Sequence, residues 1–128
     1  MADNTSAGIA KRRLLVVEDD YLIALDLASW LENNGADVLG PAASVDDALM
    51  LLTTDSLPDA AVLDIRLGEE WVFPVADALQ AARVPFLFLS GYDASEVPDF
   101  YRRAPCCPKP LHRPNLLRTL AEVLTAEN

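Results

Sequence analysis

The sequence predicts an α/β protein: a doubly wound, five-stranded parallel sheet with an irregular or short fourth helix. Three observations predict it. Short apolar runs, among them Leu14 to Val17, Ala60 to Leu63 and Phe86 to Leu89, are bounded by turn residues, as buried parallel strands are. Segments of helical period alternate with these runs along the chain. Polar groups then follow the runs where strands would end: Glu18, Asp19 and Asp20, next Asp64, next Ser90, and Lys109 after Cys106-Cys107-Pro108. Ligands of open α/β sheets bind outside those carboxyl ends.

The elements can be justified in order. Residues 1–10 are small and polar and read as a flexible N-terminal tail, leaving one domain over 11–126. After the first strand, Leu22, Ile23, Leu27, Trp30 and Leu31 recur with helical period, and Asn33-Asn34-Gly35 supplies a stop. A short second strand near Ala36 to Leu39 is ended by Gly40-Pro41. Ser44 with Asp47 resembles a capping box ahead of Val45, Ala48, Leu49 and Leu52. Pro58-Asp59 leads into the third strand, and Ile65 to Glu70, containing Gly68, reads as a loop. The next helix begins near Pro74, a good first-turn residue, and runs through Val75, Ala78, Leu79 and Ala82. Val84-Pro85 enters the fourth strand. Gly91 to Arg103 is the least regular stretch, and Pro98 breaks any long helix there. The fifth strand is expected over Ala104 to Pro108, and Pro114 opens a last helix through Leu116, Leu117, Leu120, Val123 and Leu124.

Composition narrows the function. A chain of 128 residues that is 52% hydrophobic suits one globular domain. Ten Lys and Arg against 20 Asp and Glu give a formal net charge of -10, which argues against nucleic acid as a partner. The apolar runs are too short to span a bilayer, so no membrane is expected. Met1 to Ala10 lacks a charged region followed by an apolar one, which favours the cytoplasm. Cys106 and Cys107 are adjacent, a strained geometry for a disulfide, and lack metal-knuckle spacing; they read as two buried thiols in a strand. His112, the sole histidine, argues against a His-rich zinc site or a Ser-His-Asp triad.

The strand-end residues suit phosphoryl chemistry. A carboxylate accepts a phosphoryl group when the like charges around it are neutralised and the phosphate is held in line. Asp19, supported by Glu18 or Asp20, and Asp64 offer the hard oxygen ligands that suit Mg²⁺. Lys109 can pair with Asp64 at rest and with the phosphoryl group afterwards, and Ser90 can donate a hydrogen bond to a phosphoryl oxygen. Each residue alone has a plainer reading. Asp20 fits a helix start, Asp64 could cap a turn, and Ser90-Gly91 is common turn chemistry. Four such groups at four strand ends are hard to obtain from solvation alone.

Leu15-Val16-Val17-Glu18-Asp19, Pro58 to Asp64, Ser90 and Lys109-Pro110 together resemble the receiver domain of two-component response regulators, over Lys11 to about Ala126. The resemblance implies strand order 2-1-3-4-5 and a phosphoryl group taken by Asp64 from a histidine kinase or a histidine phosphotransfer protein. It implies Mg²⁺ held by Asp19, Asp64 and the backbone carbonyl of Arg66, with Glu18 in the inner or outer shell. It also implies self-catalysed phosphotransfer and dephosphorylation in place of substrate turnover, an unidentified downstream protein, and a monomer or weak dimer. Lys109-Pro110 is similar to the family's cis-proline junction. Two departures stand out. Cys106 occupies the position three before the lysine where receivers usually carry an aromatic residue. Phe88-Leu89-Ser90-Gly91-Tyr92 is similar to the single-domain subfamily named for a Phe-Ala-Thr-Gly motif, which has an irregular fourth helix; Leu89 and Asp93 depart from that motif. Gly91 would let the backbone follow Ser90 toward the phosphoryl group. Arg66 and Tyr92, each two residues past a site residue, would overhang it and set its lifetime, unless Tyr92 packs inward for the aromatic absent at Cys106.

Two other readings compete. A haloacid-dehalogenase-type phosphatase also phosphorylates an Asp after a strand, but wants a second Asp two residues on, where this chain has Arg66. A receiver-like interaction module that works without phosphorylation would not need Asp19, Asp64, Ser90 and Lys109 together.

Overall fold

The computed structural model describes residues 8–54, 56–91, 97–101 and 103–125. Five strands, β1 (Arg13–Val17), β2 (Asp37–Ala42), β3 (Ala60–Asp64), β6 (Phe86–Ser90) and β7 (Cys106–Pro108), form one sheet in the order β2-β1-β3-β6-β7. Every adjacent pair in it is parallel. This is the expected doubly wound fold.

Strand geometry divides the core in two, because successive side chains point to opposite faces. Leu14, Val16, Ala60, Val62, Leu87 and Leu89 pack with helices α1 (Tyr21–Asn33) and α4 (Arg113–Thr125). Leu15, Val17, Ala61, Leu63, Phe86 and Phe88 pack with α2 (Val45–Thr54) and α3 (Phe73–Ala81). β3 and β6 are buried along their whole length, which explains why they read as unbroken apolar runs. The adjacent thiols obey the same alternation: Cys106 packs on the α2–α3 side and Cys107 on the α1–α4 side. They form no disulfide.

Helix ends follow the sequence closely. The Asp20 carboxylate caps α1 by accepting the Ile23 N–H at 3.0 Å, and Gly35 takes a left-handed φ of 96° just beyond the helix. Ser44 Oγ accepts the Asp47 N–H at 3.1 Å, ahead of α2.

Four expectations need correction. β2 does not stop at Gly40-Pro41 but runs through them to Ala42. It is an edge strand, where a proline breaks no inner ladder, and the register slips between Leu15 and Val17 to accommodate it. The last strand is shorter than expected, beginning at Cys106 and not at Ala104, since Ala104 N–H bonds back to the Tyr101 carbonyl in a turn. Within the expected loop after Asp64, β4 (Arg66–Leu67) and β5 (Glu70–Trp71) pair antiparallel as a small hairpin. Lastly, the end of the expected tail is packed. Ile9 is fully buried among Leu14, Leu31 and α4 residues, and a Cβ on Gly8 would come within 2.9 Å of Ala121 Cβ. One large apolar residue among small neighbours leaves no periodic signal.

In the irregular stretch, a 3₁₀ turn spans Asp99–Tyr101, while residues 92–96 lie outside the described residues. Among the described residues, no helix is long and apolar enough to cross a membrane.

Candidate functional site

The parallel sheet brings the carboxyl ends of β1, β3, β6 and β7 to one edge, and the expected residues meet there. Asp64 ends β3, the central strand, and is 7% exposed; Glu18, just past β1, is 2% exposed. Lys109 Nζ, arriving after β7, lies 3.2 Å from Asp64 Oδ1 and 3.4 Å from Glu18 Oε1. Backbone bonds fix these positions. Glu18 N–H donates to the Ala42 carbonyl at 2.9 Å, and Lys109 N–H donates to the Ser90 carbonyl at 2.8 Å. Ser90 itself is buried at the end of β6. The Lys109-Pro110 bond is cis, as the motif implied, and so is Gly40-Pro41.

Asp19 is exposed and held differently. Its Oδ2 accepts the Gly68 N–H at 2.8 Å, so the turn of the β4–β5 hairpin orients it. Gly68 has a left-handed φ of 63°, which L side chains adopt at a cost. Sequence reasoning noted Gly68 only as a loop glycine. Its offset of four from Asp64 was the available signal. Asp20, by contrast, turns its carboxylate to the helix cap, and its N–H donates to Glu18 Oε2 at 3.0 Å.

The electrostatics are those of a site short of positive charge. Burial pushes the Glu18 carboxyl up to about 7, helped by Asp64 and opposed by the Asp20 N–H and Lys109. Asp64 is also raised, burial again outweighing the Lys109 ammonium. Burial pulls Lys109 down, but Asp64 and Glu18 together outweigh it and raise the ammonium. Lys109 thus pairs with two of the three clustered carboxylates, Asp64 and Glu18. Ligand oxygens of Glu18, Asp19 and Asp64 lie within 4.8 Å of one another, a set of hard anionic donors that fits a divalent cation such as Mg²⁺.

The remaining expected residues are placed as follows. Arg66 is exposed in β4, its guanidinium 4.4 Å above the Trp71 ring. Gly91 is exposed, and a Cβ there would meet nothing within 4 Å, so this conformation does not itself demand glycine. Pro110 is exposed and Cys106 half-buried. Tyr92 lies outside the described residues. Tyr101 packs on this side of the sheet, stacked on Phe73 with centroids 5.0 Å apart and edge-on to Phe88 at 6.3 Å. Its hydroxyl donates to Asp77, and burial together with Asp77 pushes that hydroxyl up to about 12. Cys106 packs against the same cluster. The stretch around Tyr101 carries no periodicity that would mark it in the sequence.

Beside Lys109 lies a groove lined by Leu22, Ile23 and Trp30 from α1 and by Pro110, Leu111 and Arg113 from the approach to α4. Leu22 is 73% exposed there. Arg113 bridges to Asp26 at 2.8 Å and lies over Trp30, joining the two helices.

No family model matches the chain. Among curated proteins it is 32% identical over 81 residues to the phyllosphere-induced regulator PhyR of Methylorubrum extorquens, covering 62% of this chain and 30% of that protein. The chain spans less than half the length of the curated relatives it matches. Several solved structures match nearly end to end. SdrG from Sphingomonas melonis is 34% identical with a TM-score of 0.76, and the match covers 92% of this chain and 98% of that one. The non-phosphorylated HemR receiver domain from Leptospira biflexa is 29% identical with a TM-score of 0.76, at the same coverage of 92% and 98%. Since both likenesses run almost the whole length of those chains, the protein belongs to the receiver domains of two-component response regulators.

Proposed function

We propose that Asp64 accepts a phosphoryl group from a phosphohistidine, on a histidine kinase or a histidine phosphotransfer protein, in a Mg²⁺-dependent reaction. The observation that carries this reading is the buried Asp64 carboxylate at the end of the central strand, with Lys109 Nζ 3.2 Å away and Glu18 and Asp19 alongside. An Asp64 oxygen bonds to phosphorus as the P–N bond breaks. The electron pair goes to the imidazole, which leaves neutral when its other ring nitrogen keeps a proton. Glu18, Asp19 and Asp64, with the Arg66 backbone carbonyl, would hold the cation. Mg²⁺ bound there supplies Lewis-acid neutralisation of the phosphoryl oxygens.

The chain's own groups do the rest. Lys109 pairs with Asp64 before transfer and with a phosphoryl oxygen after it. The Ser90 hydroxyl donates to another oxygen and draws Gly91 with it. The partner's histidine approaches over the apolar groove of Leu22, Ile23 and Pro110, which opens beside Lys109. A downstream protein reads the change on segment 91–103 with β7 and α4. The Phe88-Leu89-Ser90-Gly91-Tyr92 segment supports a place in the Phe-Ala-Thr-Gly subfamily, and residues 11–126 serve as the receiver unit, with Ile9 packed onto it.

Incubation with acetyl phosphate and Mg²⁺, followed by intact mass, tests the reading. The wild-type protein is expected to gain one phosphoryl group and Asp64→Asn none. Undiminished phosphate on Asp64→Asn would overturn the assignment.

A further inference from the structure

We propose that Trp71 is a positioning residue for Arg66, and that it shortens the life of the phosphorylated state by holding the guanidinium away from the phosphoryl group. The inference rests on Asp64 being the phosphoacceptor.

Arg66 and Trp71 are directly opposed across the β4–β5 hairpin. Cross-strand partners are the unit of stabilisation in such a ribbon. The Arg66 guanidinium carbon sits 4.4 Å from the centre of the Trp71 ring, well inside the range of a cation–π contact. The ring is not a loose surface group. It stacks on Phe73 at 5.9 Å with planes 15° apart, Phe73 stacks on Tyr101 at 5.0 Å and 10°, and the Tyr101 hydroxyl is tied to Asp77. Phe73 and Tyr101 pack into the α2–α3 side of the core. A chain of near-parallel rings thus ties Trp71 to the core, and the same ring carries the guanidinium. The other side of the hairpin is fixed too, since the Gly68 N–H is bonded to Asp19.

Arg66 follows Asp64 by two residues, a strand distance of about 7 Å that an arginine side chain spans. The guanidinium therefore has two alternatives: the Trp71 ring, or the oxygens of a phosphoryl group on Asp64. On a phosphoryl group it would obstruct the water that must attack phosphorus in line. On Trp71 it leaves that approach open. The stack competes with the phosphoryl group for one side chain, and only this differential contact gives Trp71 an effect on lifetime. A cation–π contact at a half-exposed site shifts such an equilibrium by about two- to fivefold.

The test follows phosphate loss from the full chain by intact mass, after loading with acetyl phosphate and Mg²⁺ and removal of the donor. Trp71→Ala and Trp71→Leu are both expected to lose phosphate about two- to fivefold more slowly than wild type. Trp71→Phe, which keeps a π face, should decay as wild type does. In an Arg66→Ala background the Trp71→Leu substitution should change nothing, because the two residues act through one contact. Wild-type decay in Trp71→Leu overturns the inference, as does an effect of Trp71→Leu that persists undiminished without Arg66. Failure of the wild-type protein to gain any phosphate would overturn the phosphoacceptor reading and this inference with it. Normal loading with an unchanged decay overturns this inference alone.

Discussion

The backbone N–H of Gly68 donates to Asp19 Oδ2 at 2.8 Å, joining the turn of the β4–β5 hairpin to a carboxylate 49 residues earlier in the chain. The most exposed of the three clustered carboxylates is thereby aimed by the backbone of a residue with a left-handed φ of 63°. Gly68→Ala is expected to lower stability by about 1–2 kcal/mol, the cost of the left-handed region for an L residue. It should also weaken Mg²⁺ binding as Asp19 loses its orientation. Asp19→Asn separates the two effects: Asn keeps an oxygen for the Gly68 N–H, so the fold should hold while Mg²⁺ affinity falls. Urea unfolding and Mg²⁺ titration followed by tryptophan fluorescence measure both. Unchanged Mg²⁺ affinity in both variants would place the cation elsewhere.

Glu18 makes stability depend on pH. Its carboxyl is raised from the ordinary 4.5 to about 7 in the folded state, chiefly by burial. Between those values the folded chain holds more protons than the unfolded one, so stability falls as pH rises through that window. The contribution is fully present below the unfolded value and lost above the folded one. Glu18→Gln cannot ionise and can still accept the Asp20 N–H through its amide oxygen. It should flatten the fall between pH 5 and pH 8 in the absence of divalent cations, leaving the part due to Asp64, whose carboxyl is raised in the same direction. Mg²⁺ should stabilise wild type more at pH 8 than at pH 5, since it favours the ionised carboxylates. Denaturant midpoints at the two pH values, with and without Mg²⁺, check each point; a wild-type midpoint that climbs with pH would contradict the sign.

Site and fold were legible in the sequence to different depths. Glu18, Asp19, Asp64, Ser90 and Lys109 were readable because each follows an apolar run, and a parallel sheet gathers all such ends on one edge. The helix caps Asp20 and Ser44 were readable from local spacing alone. Other features depend on contacts that no local pattern encodes. The β4–β5 strands are two residues long, too short for alternation to show. Tyr101 lies in an irregular stretch, and its packing on Phe73 joins segments 28 positions apart. Gly40-Pro41 looked like a strand end because the edge position of β2, which tolerates proline, is a property of the sheet and not of the segment.

Ile9 measures how much the packed N-terminal residues matter. It is fully buried against Leu14, Leu31 and α4, so Ile9→Ala removes buried methyl groups and leaves a cavity. The expected loss is about 2–5 kcal/mol, and deletion of residues 1–10 should lose at least as much. Urea unfolding gives the value. A loss below about 0.5 kcal/mol, the size of an ordinary surface substitution, would mean that Ile9 contributes little to the core.

Ser90 should separate phosphorylation from its readout. The residue is buried at the end of β6, and its carbonyl already holds the Lys109 N–H at 2.8 Å. That backbone bond survives Ser90→Ala, so Lys109 should stay beside Asp64 and phosphate should still be accepted. What disappears is the hydroxyl that would bond a phosphoryl oxygen. A modification moves an equilibrium only through contacts that differ between the two states, and this hydroxyl is one of them. In wild type, amide exchange is expected to change most over 90–103 when beryllofluoride and Mg²⁺ bind. In Ser90→Ala the change over that stretch should shrink, while protection in β3 and at Lys109 responds as before. An identical response in the two proteins would show that Lys109 alone carries the signal from Asp64. A variant that loads no phosphate would instead make Ser90 part of the acceptor site itself.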